Sequence, residues 1–433
     1  MNLITDKPYQ FVPPHRGHGW PWLIQRLRLV DRYLARHDGV VDNEYRHLER
    51  LTNSIRAGDA ILLAPNHCRY SDPLVLCWPA RTANIHLFAM ASWHLFAESR
   101  FQSFAIRKMG GFSIFREGAD RQSLDTAIQI LTDAERPLIL FPEGTTNRTN
   151  DVLQPLLDGV AFIARTAARR RAKQNSGRVV IIPVAIKYLF QGDIQQWGAK
   201  AAARLESGLG WRPLEGEPLL VRIRRIAEAM LAIHEVRYLG RASQQPFGER
   251  RDTLVEHLIG EAESQFGLKP EPALGPLGRI RRVRTAISGE ILKCPATDRR
   301  RALHHCIDAM AIAQQLYSYP DRYLLQAPTT DTQLLETLER MQEGLLGKPD
   351  FPGPLKVVIE FAEPIPVPAE KQPRDEHDPL LIQLRISLTE RLNALASEAR
   401  LVSDSQLGTA PTRPESNGGL EPTKGPQDPL DKS

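Results

Sequence analysis

The sequence lacks any apolar run long enough to cross a membrane as a helix. Such a helix needs about 20 consecutive apolar residues, and no uninterrupted apolar stretch of this 433-residue chain approaches that length. The first residues, MNLITDKPYQFVPPHRG, also lack the charged region and apolar segment that are typical of a secretory signal peptide. We therefore expect any contact with a membrane to be peripheral.

Cysteine is scarce, with four residues in the chain: Cys68, Cys77, Cys294 and Cys306. They form no CxxC pair and show no spacing typical of secreted proteins, which favours a reducing cytoplasm. His304 and His305 stand beside Cys306 on a helical stretch, but no second ligand pair accompanies them. We expect no metal site and no cofactor.

Charge is nearly balanced, with a net charge of +5 and a pI near 9.0. A mild basic excess suits anionic membranes, phosphate-bearing ligands or nucleic acid, and equally an ordinary solvated surface. Three basic clusters lie at residues 222–225, 279–284 and 299–301. They contain almost no aromatic residues, so they do not resemble a nucleic-acid module. Lipid headgroups or the phosphates of a carrier are alternatives to a solvated face.

Residues 1–50 are interpreted as an amphipathic, membrane-associating helical segment. Within GWPWLIQRLRLVDRYLAR, at residues 19–36, apolar side chains recur at helical spacing with arginines between them. Trp20 and Trp22 are residue types that favour the membrane interface. A helix packed on its own domain would show the same pattern, and both interpretations stay open here.

Short apolar runs alternate with helical periodicity from Gly58 to Val184, which is typical of βαβ units. We predict an α/β fold with a mixed, largely parallel sheet flanked by helices. Its strands are predicted at residues 60–65, 85–90, 112–115, 137–141 and 179–186. Residues 51–190 would form the core of this αβα domain.

Helical periodicity dominates after Gln191, and strand-like sequence returns in PLKVVIEFAEPIPVP at residues 354–368. We therefore predict a helical insertion at residues 191–353. The strand and a last helix at residues 354–402 would then complete the core. The tail at residues 403–433 is rich in proline, glycine and serine and is predicted to be disordered.

A histidine and an aspartate follow the first predicted strand, in the segment Asn66-His67-Cys68-Arg69-Tyr70-Ser71-Asp72. Ligands of open α/β sheets collect at the carboxyl ends of the strands. Histidine is the usual base for taking a hydroxyl proton, and a carboxylate five residues on can orient the ring. An aspartate before Pro73 is also an ordinary helix N-cap, so the spacing alone does not decide.

Other chemically useful groups also follow predicted strands. FPEGTTNR comes after PLILF, Arg116 ends GGFSIFR, and Pro183 lies within VVIIPVAI. Arginine suits phosphate binding through charge-assisted hydrogen bonds. Proline removes a ladder hydrogen bond and therefore indicates a sheet edge or a bulge.

Four blocks in this order, NHCRYSD, GGFSIFR, FPEGT and IIPVAI, resemble the motifs of the glycerolipid acyltransferases related to lysophosphatidate acyltransferase. The resemblance covers about residues 55–190 and 354–370. It implies that His67 is the general base and Asp72 its partner. It also implies substrate-binding roles for these residues: Arg116, Glu143, Gly144, Thr145, Arg148 and Pro183.

The resemblance implies an O-acyltransferase at the cytoplasmic face of a membrane. The donor would be acyl-CoA or an acylated carrier protein, and the acceptor a lysophospholipid, first of all 1-acylglycerol 3-phosphate. The third block departs from the family pattern, because Thr146 stands where the family usually has arginine. Other acceptors, such as glycerol 3-phosphate or an aminolipid, therefore stay open, as does a lipid-binding or adaptor protein without turnover.

Overall fold

The structure, a computed structural model, describes residues 8–118, 120–291, 293, 297–317, 329–349, 353–370 and 378–402. The predicted disordered tail at residues 403–433 lies outside the described residues.

One mixed sheet of eight strands forms the centre of the protein. The strands are β1 Val40–Arg46, β2 Ala60–Pro65, β3 Phe88–Ser92, β4 Gly111–Ile114, β5 Leu138–Ile139, β6 Val179–Phe190, β7 Leu355–Phe361 and β8 Ile365–Pro366. Their order across the sheet is β1-β7-β6-β2-β5-β3-β4, with β8 also beside β6. Every pairing is parallel except β6 with β7 and β6 with β8.

Helices cover both faces of this sheet. The first half of the chain contains α1 Gly19–Arg26, α2 Leu29–Tyr33, α3 Leu48–Arg56, α4 Asp72–Val75, α5 Cys77–Thr82, α6 His94–Glu98, α7 Arg100–Lys108, α8 Arg121–Asp133 and α9 Gly159–Lys173. The second half contains α10 Ile194–Gly208, α11 Leu219–Leu239, α12 Phe247–Gln265, α13 Gly275–Ile291, α14 Thr297–Tyr317, α15 Asp331–Leu346 and α16 Pro379–Ala396. None of the described helices has the length and apolar content needed to cross a membrane.

Alternation along the strands creates two separate apolar layers. In β2, Ile61 and Leu63 pack in one core cluster with α10, α15 and the beginning of α11, whereas Leu62 packs in the other with α8, α9 and α16. Successive side chains of a strand point to opposite faces, which explains this division. The predicted fold class, a mixed and largely parallel sheet flanked by helices, is confirmed.

The N-terminal segment differs from the helical description given to residues 1–50. Helical turns occupy Gly19–Arg26, Leu29–Tyr33 and a π-helical turn at Leu34–Asp38, but Val40–Arg46 is a strand. This strand pairs with β7 across more than 300 residues of sequence. The sequence of this strand does not indicate the pairing. Only Val40 is fully buried, so the strand lacks the apolar pattern of a buried strand.

The presence of Pro183 in a strand indicated a sheet edge or a bulge, but Pro183 does not lie at the edge of the sheet. It lies in β6, which has β2 on one side and β7 and β8 on the other. The Pro183 carbonyl accepts a hydrogen bond from Ala362, in the segment between β7 and β8. The carbonyl and the amide of one strand residue point to the same side of the strand. The side on which proline lacks an N–H therefore faces the segment between β7 and β8, where the neighbouring strand is interrupted.

Residues 191–353 divide into two packing units. Helix α10, the first part of α11 and α15 share the sheet's own apolar cluster. The end of α11 forms a separate cluster with α12, α13 and α14. The boundary of the insertion predicted from sequence stays a prediction, but part of that segment is a layer of the central domain.

Candidate active site

The carboxyl ends of three parallel strands bring the predicted site residues to one edge of the sheet. His67 follows β2, the segment Phe141–Arg148 follows β5, and Arg116 follows β4. Because β2, β5, β3 and β4 run in the same direction, their carboxyl ends lie along this single edge. The location agrees with the rule that ligands bind there in open α/β sheets.

His67 and Asp72 are in direct contact. The His67 Nδ1 atom lies 2.8 Å from Asp72 Oδ2, and the aspartate is completely buried. The same carboxylate accepts hydrogen bonds from the Arg69 amide at 2.9 Å and from the Tyr188 hydroxyl at 2.8 Å. Asp72 is the first residue of α4, and its carboxylate binds groups outside that helix. The N-cap interpretation of Asp72 is therefore wrong.

The second ring nitrogen of His67 and the face of its ring also have close neighbours. Its Nε2 atom lies 3.1 Å from the Thr146 hydroxyl, and its ring stacks on Phe141 with 4.0 Å between centroids. A buried carboxylate at Nδ1 favours the tautomer that carries its proton there. Nε2 is then the basic nitrogen, and the Thr146 hydroxyl donates to it.

Glu143 binds the backbone of the loop that carries His67. Its carboxylate accepts hydrogen bonds from the His67 amide at 2.6 Å, from Asn147 Nδ2 at 2.9 Å and from the Gln154 amide at 2.8 Å. Burial, with a smaller contribution from the charge of Asp72, raises the Glu143 pKa to about 8. The side chain is 2% exposed and joins two site loops, whereas the family resemblance implied a substrate-binding role.

Gly144 makes the turn after Glu143 possible. Its φ of +69° is a conformation that side-chain-bearing residues rarely adopt, and an added Cβ would lie 2.3 Å from Leu157 Cδ1. Thr145 next to it accepts a hydrogen bond from Gln314 of α14 at 3.1 Å. The turn is therefore tightly packed and touches the helices of residues 191–353.

Arg148 is engaged in contacts within the protein. Its guanidinium pairs with Glu343 of α15 and lies 4.5 Å from the centre of the Tyr70 ring. The Arg116 guanidinium, by contrast, forms no ion pair or hydrogen bond with the residues that the structure describes. Burial lowers its pKa. Of the two arginines predicted to bind substrate, Arg116 is the one whose guanidinium has no ion-pair partner among the described residues.

Pro183, the last predicted substrate-binding residue, is buried in β6 and pairs with Ala64 of β2. Ala64 lies three residues before His67, so Pro183 supports the strand that presents the base.

Helix α15 contributes a set of contacts that the sequence did not indicate. Glu339 binds the Arg69 guanidinium through both oxygens, at 3.3 and 2.8 Å. Glu336 accepts from the Asn150 amide, and Arg340 donates to the Asn147 carbonyl at 3.0 Å. Together with the pair formed by Glu343, these contacts fix both loops of the site to one helix.

No metal site accompanies these groups in the described part of the chain, where no set of three or more His, Cys, Asp or Glu side chains could hold an ion. Cys306 is packed in the apolar cluster of α12, α13 and α14, and the His305 ring lies 5.5 Å from the Tyr238 ring. These residues therefore serve helix packing.

A family model described as Acyltransferase matches residues 45–187. The match begins in β1 and ends one residue before Tyr188, so it includes His67, Asp72, Arg116 and the Glu143 turn. A search of curated proteins found no significant match.

Proposed function

Residues 45–187 are a domain of the glycerolipid acyltransferase family, and we propose that His67 is the general base of an O-acyl transfer performed by this domain. The observation that carries the proposal is the His67–Asp72 pair, with 2.8 Å between Nδ1 and Oδ2 and a basic nitrogen directed away from the carboxylate. His67 lies at the sheet edge where ligands of such folds bind, and Asp72 orients its imidazole ring.

The reaction would begin when an acceptor hydroxyl replaces the Thr146 hydroxyl at His67 Nε2. The imidazole takes the hydroxyl proton while the oxygen attacks the carbonyl carbon of the thioester. The tetrahedral intermediate then expels the thiolate, which recovers the proton from the imidazolium. Asp72 stabilises the charged ring between these two steps. No covalent acyl-enzyme is required, because the thioester is already activated.

The proposed donor is acyl-CoA or an acylated carrier protein, and the proposed acceptor is a lysophospholipid such as 1-acylglycerol 3-phosphate. The unpaired charge of Arg116, at the same sheet edge as His67, supports a substrate that carries phosphate. Arginine recognises phosphate through two parallel hydrogen bonds.

We also propose that the protein rests on the cytoplasmic face of a membrane through α1 and α7. Trp20, Trp22, Phe101 and Phe104 are exposed on these helices, and Phe101 is 80% exposed. The rings of Trp20 and Phe104 are 5.2 Å apart, and Lys108 Nζ lies within 5.6 Å of both ring centres. Aromatic rings beside basic groups suit the boundary between lipid headgroups and acyl chains. These five residues are called the aromatic surface below.

The test of the catalytic proposal compares the wild type with His67→Ala, using labelled acyl-CoA and a mixture of lysolipids. We expect transfer to fall by about 10²- to 10⁴-fold, the usual contribution of a general base. His257→Ala is the matched control, because His257 is a half-exposed histidine of α12 whose single ion-pair partner among the described residues is Glu261. Circular dichroism of both variants establishes that they are folded.

Two results would contradict the proposal. Wild-type rates in His67→Ala would show that this imidazole is not the base. The absence of a new lipid with any acceptor and donor would favour the alternative of a lipid-binding or adaptor protein without turnover.

A further inference from the structure

The Thr146 hydroxyl lies at the ring nitrogen of His67 that Asp72 does not bind. The distances are 3.1 Å from Thr146 Oγ1 to His67 Nε2 and 2.8 Å from His67 Nδ1 to Asp72 Oδ2. A hydroxyl, an imidazole and a carboxylate are thus joined by two successive hydrogen bonds. Nucleophile, base and orienting carboxylate have this order in enzymes that form an acyl ester on a hydroxyl side chain. We call these three residues the hydroxyl triad.

Residues on both sides of Thr146 bind the backbone of His67. Glu143, three residues before Thr146, accepts a hydrogen bond from the His67 amide at 2.6 Å. Asn147, the next residue, donates its amide to the His67 carbonyl at 3.1 Å. The His67 ring also stacks on Phe141 of the same loop. The hydrogen bonds between the two loops therefore hold the Thr146 residue beside the imidazole.

Exposure increases along the hydroxyl triad from the carboxylate to the hydroxyl. Asp72 is completely buried, His67 is 7% exposed, and Thr146 is partly exposed. The Thr146 hydroxyl forms no further hydrogen bond with the residues that the structure describes. The residue that would act as the nucleophile is therefore the most accessible of the three, and its hydroxyl has the base as its partner.

A second contact between a hydroxyl and a histidine lacks the third group. Ser92 Oγ, at the end of β3, lies 2.8 Å from His94 Nδ1, and both residues are buried. Within the described ranges, no carboxylate binds the other ring nitrogen of His94. A carboxylate fixes the tautomer and stabilises the imidazolium. The pair formed by Ser92 and His94 therefore serves as an internal control for the hydroxyl triad.

We propose that the hydroxyl triad gives the protein a second activity, the hydrolysis of fatty acyl thioesters, in which Thr146 carries the acyl group as an ester. The inference shares the base His67 with the proposed function and goes beyond it, because water replaces the lipid as the final acceptor. It applies when no acceptor hydroxyl has displaced the Thr146 hydroxyl from His67 Nε2.

The proposed hydrolysis has two steps. In the first step His67 Nε2 takes the Thr146 proton while Oγ1 attacks the carbonyl carbon of the thioester. The carbon–sulfur bond breaks, and the thiolate recovers the proton from the imidazolium, which leaves a free thiol and an acyl ester on Thr146. In the second step a water molecule gives a proton to Nε2 and attacks the ester. The bond to Oγ1 breaks, the threonine oxygen takes the proton back, and a fatty acid is released.

The experiment incubates the full chain with a donor and no lipid acceptor. Palmitoyl-CoA is one donor, and p-nitrophenyl decanoate, an activated ester without a carrier, is the other. Release of thiol or p-nitrophenolate is followed, and the acid-quenched protein is weighed by mass spectrometry. Thr146→Val should reduce release at least about 100-fold, because it removes the nucleophile and keeps the shape of the side chain. Thr146→Ser should retain release, and the control Ser92→Ala should match the wild type.

The covalent ester is the readout that a merely structural role of Thr146 would not produce. We expect the wild type and Thr146→Ser to gain the mass of one acyl group, with a burst of released leaving group. Peptide mapping should place the group on residue 146, and His67→Ala should not acquire it. Neutral hydroxylamine separates this ester from a thioester on the neighbouring Cys68, since it removes the thioester and leaves the ester. An acyl group found on Cys68 alone would overturn the inference.

The outcomes for hydrolysis and for lipid transfer are separable. Equal release by the wild type and Thr146→Val with both donors, and no acyl group on residue 146, would overturn the inference. Transfer to a lysolipid in the same samples would then still support the proposed function. Conversely, an acyl ester on Thr146 without any lipid product would support the inference and contradict only the transfer to a lipid.

Discussion

His67 is held at both ring nitrogens, by Asp72 on one side and by Thr146 on the other. Thr146 stands where the family that this sequence resembles usually has arginine in its third block. In the structure its hydroxyl occupies the place beside Nε2 that an acceptor hydroxyl would need. The difference from the family pattern therefore lies directly beside the proposed base, His67.

Stability should depend on pH through Glu143. Its pKa in the folded protein is about 8, raised from 4.5 by burial, so the folded state retains a proton that the unfolded chain releases above pH 4.5. The stabilising contribution is fully present below the unfolded pKa and is lost as the pH rises towards 8. We expect Glu143→Gln to remove this loss, measured by urea unfolding at several pH values between 5 and 8.

The informative quantity is the difference between the two proteins, because other groups titrate in both. The wild-type free energy of unfolding should fall more steeply over this interval than that of Glu143→Gln. If the free energy of unfolding had the same pH dependence in both proteins, Glu143 would remain ionised in the folded protein, stabilised by its three N–H donors.

The residues of the site were predictable to different degrees. His67, Asp72 and the Glu143 turn follow apolar runs, so their place at strand ends could be read from the sequence. Tyr188 could not be assigned to Asp72, because it lies within a continuous apolar strand and its hydroxyl reaches the carboxylate only through the pairing of β2 with β6.

At the scale of elements, α15 connects most of the site. Its acidic residues form ion pairs with Arg69 and Arg148 and accept a hydrogen bond from the Asn150 amide. These three residues belong to two different loops. Its apolar stripe packs in the same cluster as the sheet. The sequence placed α15 within the predicted helical insertion, but its acidic residues gave no indication of the arginines that they contact.

The pair formed by Arg69 and Glu339 provides a test of α15. Both side chains are buried, with 7% and 3% exposure, and Glu339→Gln would remove the carboxylate that the Arg69 guanidinium binds. Removing one partner of a buried pair costs about 3–5 kcal/mol. We expect Glu339→Gln to lower the free energy of unfolding by about this amount in chemical denaturation.

Two further variants show whether the loss comes from the buried pair. Asp298→Asn removes a fully exposed pair with Arg301 and should change stability by less than about 1 kcal/mol. Arg69→Met combined with Glu339→Met should be more stable than Glu339→Gln, since no buried charge remains unpaired. A loss no larger than that of Asp298→Asn would contradict the role given to α15.

Most elements of the sheet and its helices were predictable, because their apolar periodicity is strong. Strands β2 and β6 begin at the residues predicted for them, and β6 continues four residues beyond its predicted end. Helices α10 to α15 all lie within residues 191–353, the segment predicted to be helical. Strand β1 was missed because its partner lies near the other end of the chain.

For the whole molecule, the aromatic surface sets the proposed orientation on a membrane. We expect Trp22→Ser/Phe101→Ser to weaken binding to vesicles of phosphatidylcholine and phosphatidylglycerol at least about tenfold, because each buried ring contributes about 1.5–3 kcal/mol. Co-sedimentation measures the binding. Vesicles of phosphatidylcholine alone should bind the wild type less, since basic residues accompany the rings.

Phe162→Ser is the matched control for this surface. Phe162 is 54% exposed but belongs to α9 and not to α1 or α7. Vesicle binding that falls equally in this control and in the double variant would show a general effect of surface apolarity. It would contradict the orientation proposed for α1 and α7.

The pairing of β1 with β7 has a consequence for the growing polypeptide. Among the described strands, β1 has β7 as its single neighbour, and β7 ends at Phe361. A ribosome must therefore synthesise more than 300 further residues before the first strand can enter the sheet. A truncated product ending at residue 187, where the family match ends, would also lack Tyr188 and Glu339. Such a fragment would carry the motif blocks without the partners that hold Asp72 and Arg69 in place.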